Sequence, residues 1–287
     1  MTGAPLVSVG LSVFNGANGL AAAIRSLLAQ TYPGIEILVV DDGSTDASVA
    51  IASAFTDPRV RVVVDGERRG LAARLNQAVQ LAQGKYFARM DHDDLAFPER
   101  LAKQVSFLEA HPEVDLVAAG ALVFTSDGRA VGKIPVKRTH EAICARPWAG
   151  FYLPHPTWMG RRDWFARHGY DNRFNGAEDQ HLLFRTWRTS RFACLDETLL
   201  AYREDRRTLR KMLARRYAFL RAIGSAALAS NDFNALGRCL AMQCLKVAGD
   251  VLNIGFGWQR ARNPLQELDS DTRQSWSRLW TATGGAG

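Results

Sequence analysis

Short apolar runs alternate with amphipathic stretches along the first part of the chain. The apolar runs are rich in β-branched residues and predict buried strands at 7–13, 35–40, 60–64, 85–90 and 116–124. Between them, apolar residues recur at helical spacing and predict helices at about 20–30, 45–55, 71–81 and 98–110. Ser44 or Thr45 is expected to cap the second of these helices. Repeated strand–helix units predict an α/β fold with a mainly parallel sheet covered by helices on both faces.

The pattern changes after the fifth predicted strand. Prolines at 135, 147, 154 and 156 predict loops, with short strands possible, up to about residue 160, and a helix at 178–187 and a strand at 192–195 follow. Beyond residue 202 the spacing predicts two long helices, at about 209–223 and 234–252. The last thirty residues are polar with a Gly-rich tip and are expected to be loosely ordered. We therefore predict one domain over 1–205 and a helical extension over 206–287.

Composition and charge add one feature to this picture. The 287 residues are 47% hydrophobic, which is enough to bury a full core. The net charge of +7 is uneven, because seven Lys or Arg lie between Arg206 and Arg221 and no acid lies between Asp205 and Asp232. Such a stripe can bind anionic lipid, nucleic acid or a phosphorylated substrate, or can be a solvated helix face. No nucleic-acid recognition motif accompanies it, so no nucleic-acid partner is expected.

Cysteine usage and the N-terminus bear on the compartment. The cysteines at 144, 194, 239 and 244 form no CxxC pair and no Cys/His cluster with zinc spacing, which is typical of reduced structural thiols. No charged start precedes a long apolar stretch, and no window reaches the roughly 18 apolar residues of a membrane span. The active site is therefore expected to face the cytoplasm.

Polar clusters follow three of the predicted strands. They are Phe14-Asn15, Asp41-Asp42 and the tetrapeptide Asp91-His92-Asp93-Asp94. In parallel sheets, ligands bind outside the carboxyl ends of the strands, so these clusters are expected to converge at one edge. Three carboxylates within four residues repel one another, and a Mg²⁺ or Mn²⁺ ion held by one or two of them and by substrate phosphates would relieve that repulsion. The alternative is an acidic turn that only caps the next helix.

The second acidic cluster admits two interpretations. A carboxylate at Asp42 can accept hydrogen bonds from a base N–H or from ribose hydroxyls, and Gly43 allows a sharp turn beside it. The same residues would also serve as an ordinary turn.

Five segments, in this order, resemble the family 2 glycosyltransferases, over about residues 5–205. The matching segments are Val7–Asn15, Val39–Asp46, Arg69–Ala78, Gly84–Asp94 and Gly176–Asp179. The resemblance implies a GT-A fold and an inverting transfer of a sugar from a nucleotide diphosphate, with UDP favoured by family habit. It implies Mn²⁺ or Mg²⁺ as cofactor, a saccharide or lipid-linked saccharide as acceptor, and a place in surface polysaccharide or lipopolysaccharide assembly.

The resemblance also assigns roles on the nucleotide side. Phe14 and Asn15 match the turn that packs around the nucleotide, and Asp42 matches the acid that contacts uracil or ribose. Arg69 and Gly70 stand where the family lines the base and the diphosphate, although family members often have Asn near this glycine where Arg68-Arg69 stand here.

The remaining roles concern the metal and the acceptor. Asp93 matches the direct metal ligand of the family's DxD pair, and Asp91 lies nearer the ribose. Asp179, next to Glu178, matches the general base that takes the acceptor's proton. The alternative for this pair is two acids in the first turn of a helix, where the dipole favours them. His155 is expected on the acceptor side, or else as a structural histidine.

Three other classes of protein would carry different sequence features. A sugar nucleotidyltransferase would need a basic Gly-rich loop after the first strand, but no Lys or Arg precedes Arg25. A dinucleotide oxidoreductase would need a GxGxxG turn there, which the sequence lacks. A non-catalytic nucleotide-sugar-binding protein would lack the base or the metal acids. The basic stripe from Arg206 to Arg221 adds the expectation of peripheral contact with the inner face of the cytoplasmic membrane.

Overall fold

The computed structural model describes residues 3–204, 209–255 and 265–284, and its first half alternates strands and helices. In chain order the elements are β1 (Val7–Val13), α1 (Ala17–Leu28), β2 (Ile35–Asp41), α2 (Ser48–Ser53), β3 (Val60–Val63), α3 (Leu71–Leu81), β4 (Tyr86–Asp91), β5 (Leu95–Ala96), α4 (Arg100–Ala110) and β6 (Leu116–Phe124). The strands and helices predicted for this half are confirmed to within a few residues.

The second half is shorter in strands and richer in helices. It contains β7 (Ala130–Lys133), α5 (His140–Ile143), β8 (Met159–Arg161), α6 (Arg162–His168), α7 (Glu178–Thr186), β9 (Phe192–Arg203), α8 (Leu209–Ala229), α9 (Phe233–Gly255) and α10 (Ser270–Ala282). Single 3-10 turns lie at Pro147–Ala149, His155–Thr157 and Asn172–Phe174. The region predicted as loops therefore also contributes two short strands, β7 and β8.

All the strands form one nine-stranded sheet of order β3-β2-β1-β4-β8-β6-β9-β5, with β7 paired to β6. The strands β3, β2, β1, β4, β6 and β9 share one direction, while β8, β5 and β7 run against their neighbours. This confirms the predicted mainly parallel sheet and sets the carboxyl ends of β1, β2 and β4 side by side.

Both faces of this sheet are covered, as strand β2 illustrates. Its residues Ile37 and Val39 belong to the core cluster beneath helices α1 and α4, and Leu38 and Val40 belong to the cluster beneath α3 and α6. All four side chains are fully buried. A parallel strand that is buried on both faces needs an unbroken apolar run, which is why the sequence pattern located it.

The predicted N-cap of helix α2 was wrong. Helix α2 begins at Ser48 with Ala47 as its N-cap, so neither Ser44 nor Thr45 caps it. The Ser44 hydroxyl instead accepts a hydrogen bond from the backbone N–H of Asn15 at 3.0 Å.

The segment predicted to be loose near the C-terminus contains an ordered helix. In α10, Trp276 and Leu279 are buried against the end of β6, and the Trp276 indole donates to the Gly128 carbonyl at 3.0 Å. Asp269 caps the helix by accepting from the Thr272 N–H. One aromatic and one aliphatic side chain, each flanked by polar residues in the sequence, anchor this helix, while residues 256–264 and 285–287 lie outside the described residues. The domain division near residue 205 stays a prediction.

The described helices show no membrane span, and most of the thiols are buried. Over the residues that the structure describes, no helix combines the length and apolarity needed to cross a bilayer. The thiols of Cys144, Cys194 and Cys239 are free and buried, and that of Cys244 is free and exposed.

Candidate functional site

The polar clusters that follow β1, β2 and β4 lie at one edge of the sheet. Strand β1 lies between the other two, and the pairing sets Val13 opposite Asp41 and Ser12 opposite Asp91. The sequence-based expectation that these clusters converge is therefore met by the strand register.

Asn15 braces the turns that follow β1 and β2. Its backbone is in the left-handed region at φ 48°, and its side-chain oxygen accepts from the Thr45 N–H at 2.8 Å. The neighbouring Phe14 ring is covered by the Arg68 guanidinium, 3.9 Å from its centroid. Arg68 thus extends the wall that Phe14 was predicted to form around a nucleotide.

Asp42 is tied to the protein more closely than the sequence suggested. Its Oδ1 accepts from the backbone N–H groups of Arg69 and Gly70 and from Nε of Arg74, at 2.7, 3.0 and 3.0 Å. The residue is only 5% exposed. Asp42 therefore fixes the turn of residues 69–70, and the remaining acceptor capacity of its Oδ2 is what a nucleotide could use.

Arg74 was missed by the sequence analysis. Its side chain is fully buried and donates to Asp42, to both oxygens of Asp65 and to the Glu67 carbonyl. Hydrogen bonds to Asp65 come first among the causes that raise the pKa of Arg74. The only signal in the sequence was an Arg beside the apolar face of α3.

The acids after β4 are crowded and partly unsatisfied. Asp91 pairs with Arg89, and Asp94 is fully buried, with Oδ1 accepting from the Arg203 N–H at 2.9 Å. No described residue hydrogen-bonds the Oδ2 of Asp94. Burial, followed by the charges of Asp91 and Asp93, raises the pKa of Asp94 well above its usual range. Burial also raises the pKa of the half-buried Asp93.

This chemistry fits a divalent cation that is only partly coordinated by protein. A dication would favour the charged form of Asp93, which burial and the charge of Asp91 now disfavour. The only described trio of potential ligand atoms within 4.8 Å of one another belongs to His155, Glu178 and Asp179. The acids after β4 can therefore offer a cation at most two close ligands, and substrate oxygens or water must complete its shell.

One cavity of about 590 Å³ joins the two halves of the site. Its lining includes Arg89 and Asp91 from β4, His155, and Glu178 and Asp179 from the start of α7. Asp42 and Asp93 do not line this cavity. The structure thus brings the predicted base together with the first acid of the DxD pair, and places the second acid outside the cavity wall.

Glu178 and Asp179 are held at the first turn of α7 and are hard to ionise. Glu178 Oε2 accepts from the Gly176 N–H at 2.6 Å, and Asp179 Oδ2 accepts from the Gln180 amide at 2.9 Å. Burial, followed by the charge of Asp179, raises the pKa of Glu178 to about 7. Burial likewise raises the pKa of Asp179, while the positive charge of Arg89 opposes the shift for both acids.

His155 lies against Glu178 in the same cavity wall. Its Nε2 is 3.0 Å from the Tyr170 hydroxyl and its Nδ1 is 3.8 Å from Glu178 Oε1. Burial, followed by the charge of Arg89, lowers the pKa of His155 well below its usual range, so the ring is neutral near pH 7. The contacts with Tyr170 and Gly176 use Nε2 of His155 and Oε2 of Glu178, and they hold the two side chains with Nδ1 facing Oε1.

Arg89 is the second functional residue that the sequence analysis missed. It is 1% exposed, pairs with Asp91, and exerts its charge on Glu178 and Asp179. Its Nε has no hydrogen-bond partner within the described part of the chain. An Arg inside an apolar strand was the signal, because a buried cation needs anions on the same strand end.

The raised pKa of Glu178 predicts how stability depends on pH. The folded state holds the proton more tightly than the unfolded state, since the pKa rises from 4.5 to about 7. The free energy of unfolding should therefore fall as pH rises from 4.5 through 7, by about 3 kcal/mol for this group. Glu178→Gln should abolish that loss. In urea denaturation, the free energy of unfolding of the variant should therefore rise relative to that of the wild type between pH 5 and pH 8. Glu197→Gln, at an exposed position, is the control. An equal rise in its free energy of unfolding relative to the wild type would refute the assignment to Glu178.

The chain is similar to known glycosyltransferases in sequence. The model of the family described as "Glycosyl transferase family 2" matches residues 8–169. The putative glycosyltransferase EpsE of Bacillus subtilis is 35% identical over 212 residues, which are 71% of this chain and 75% of EpsE. An uncharacterized glycosyltransferase of Haemophilus influenzae is 30% identical over 226 residues, which are 71% of this chain and 67% of that protein.

Solved structures share the fold. S. aureus TarS 1–349 in complex with UDP-GlcNAc aligns with a TM-score of 0.66 at 17% identity, over 97% of this chain and 80% of TarS 1–349. The mannosyltransferase PcManGT from Pyrobaculum calidifontis, in complex with GDP-Man and Mn²⁺, aligns with a TM-score of 0.60 at 21% identity, over 98% of this chain and 86% of that one. The predicted GT-A architecture is thereby confirmed.

Proposed function

The chain belongs to the family 2 glycosyltransferases, and from this premise we propose that it is an inverting, metal-dependent enzyme that moves a sugar from a nucleotide diphosphate to an acceptor hydroxyl. UDP is the proposed nucleotide, and a saccharide or lipid-linked saccharide in surface polysaccharide or lipopolysaccharide assembly is the proposed acceptor. One observation carries the proposal. A single cavity contains both Asp91, at the strand end where a metal–diphosphate would bind, and Asp179, a half-buried carboxylate suited to be a base.

The solved structures support the choice of donor and metal. TarS 1–349 was solved in complex with UDP-GlcNAc, and PcManGT in complex with GDP-Man and Mn²⁺. Both are nucleotide diphosphate sugars, and two acids in this chain, Asp91 and Asp93, would hold the ion. When bound, Mn²⁺ or Mg²⁺ would act as a Lewis acid on the leaving diphosphate.

The residues of the chain then divide the reaction between them. The acceptor oxygen forms a bond to the anomeric carbon as the bond to the diphosphate breaks, and the hydroxyl proton passes to Asp179. Glu178 keeps its proton up to about pH 7 and so does not add a second negative charge beside the base. Arg89 offsets the negative charge of Asp91 on one side of the cavity and of Asp179 on the other. Phe14 and the turn fixed by Asp42 position the nucleotide.

A thermal-shift screen tests the donor assignment. UDP sugars with Mn²⁺ should raise the melting temperature, because a ligand that binds only the folded state at about 100 times its Kd adds about 2.7 kcal/mol. GDP-mannose, ADP-glucose and NAD⁺ are the matched comparisons. A melting-temperature shift with GDP-mannose alone would replace uracil by guanine as the proposed nucleobase of the donor. The absence of a shift with any nucleotide sugar in Mn²⁺ would overturn the proposal.

A further inference from the structure

Helix α9 exposes an apolar face that nothing described in the structure covers. Its buried edge carries Ala235, Cys239 and Gln243, which recur at helical spacing. The opposite edge is exposed and apolar at nearly every position. Its exposed apolar members are Phe233, Gly237, Leu240, Ala241, Cys244, Leu245 and Ala248, and the exposed polar residues Asn234 and Arg238 lie within or beside it. Phe233 and Leu245 are 65% and 71% exposed, and large exposed apolar side chains in one patch mark an interaction surface.

Helix α8, which packs against α9, exposes further large apolar side chains. Tyr217 and Leu228 are 64% and 53% exposed and lie on the same helical face as Arg210 and Arg221. The Arg221 guanidinium lies 5.7 Å from the centroid of the Tyr217 ring. Apolar and cationic groups therefore alternate along this face.

The charge of the two helices is strongly one-sided. Residues 209–255 contain seven Lys or Arg and two acids, Asp232 and Asp250. Asp232, in the turn between the helices, is paired with Arg188 at 2.7 Å. Arg206 and Arg207, which belong to the basic stripe noted in the sequence, lie outside the described residues.

We propose that the α8–α9 hairpin binds peripherally to an anionic membrane surface. The apolar face of α9 would enter the headgroup region, and exposed cationic side chains of α8, among them Arg210 and Arg221, would contact lipid phosphates. A second copy of the chain is disfavoured as the partner of this face, because a symmetric contact would bring two cationic surfaces together. The sequence assigned this contact to the basic stripe alone, whereas the structure adds the apolar face of α9. The proposal does not depend on the sugar or the acceptor.

Vesicle co-sedimentation of the full chain tests the proposal. The chain should sediment with phosphatidylcholine vesicles that contain phosphatidylglycerol and not with phosphatidylcholine alone, and added salt should weaken the binding. Phe233→Ser combined with Leu245→Ser should lower the affinity for the anionic vesicles by about tenfold or more. Arg210→Gln combined with Arg221→Gln should also lower it by about tenfold or more.

Matched variants elsewhere on the surface serve as controls. Val64→Ser with Val131→Ser changes two valines that are 49% and 47% exposed, and it should leave vesicle binding unchanged. Unaltered melting temperatures would establish that all variants fold. Failure of the wild type to bind anionic vesicles would overturn the proposal, as would full binding by the α9 serine variant. A dimer in sedimentation velocity that the α9 serine variant dissociates would also overturn it, in favour of a second copy as occupant.

Discussion

Replacing Asp179 with Asn should lower kcat by about two to four orders of magnitude and leave nucleotide affinity unchanged. Asn cannot take up a proton, but its side-chain oxygen can still accept the hydrogen bond that Gln180 now donates to Asp179. The shape of the cavity and the first turn of α7 should therefore persist. The measurement is release of the nucleotide diphosphate from the donor that the thermal-shift screen selects, with water or a saccharide as acceptor, beside calorimetric titration of UDP and Mn²⁺.

The control for this substitution is Asp196→Asn, which makes the same chemical change at an exposed position on strand β9. It should keep full turnover. Normal turnover by the Asp179 variant would remove this residue as the base. Loss of both turnover and nucleotide affinity would assign Asp179 a structural or donor-binding role instead.

The sequence predicts the parts of this site that depend on residues close together in the chain. It does not predict the parts that depend on residues far apart in the chain. The strand ends were located because a parallel strand such as β2, buried on both faces, must be apolar throughout and must end where polar residues begin. The cap of α2 was misplaced because the Ser44 hydroxyl bonds to Asn15, 29 residues earlier, and no local rule contains that contact.

The two missed arginines have the same explanation. Arg74 is buried because Asp42, 32 residues away, and Asp65 receive its hydrogen bonds. Arg89 is buried because Asp91 on its own strand and the acids of α7 surround it. In the sequence their apolar neighbours suggest burial, but their partners cannot be identified there, since the pairing is decided by the order of strands in the sheet.

The geometry also changes which residues matter around the cavity. Asp42 was expected to contact the nucleotide and Asp93 to bind the metal, yet neither lines the cavity that contains Asp91 and Asp179. Asp42 fixes the turn of residues 69–70 through Oδ1, and Oδ2 is the oxygen that keeps acceptor capacity for a nucleotide. Asp93 follows the end of β4 and lies outside the wall of this cavity.

Replacement of Asp93, the predicted direct metal ligand, is the most direct test of metal dependence. Asp93→Asn should lower transfer by about two to four orders of magnitude, because a metal ion contributes several kcal/mol to transition-state charge stabilisation and each 1.4 kcal/mol is a factor of about ten. The ligand-free fold should not be weakened, since burial and the charge of Asp91 already raise the pKa of Asp93 and removing its charge relieves both penalties. The thermal shift that UDP causes should lose its dependence on Mn²⁺, and a chelator should reproduce this loss in the wild type. Asp196→Asn again supplies the matched control, and full transfer by the Asp93 variant in the presence of the chelator would exclude a metal at the end of β4.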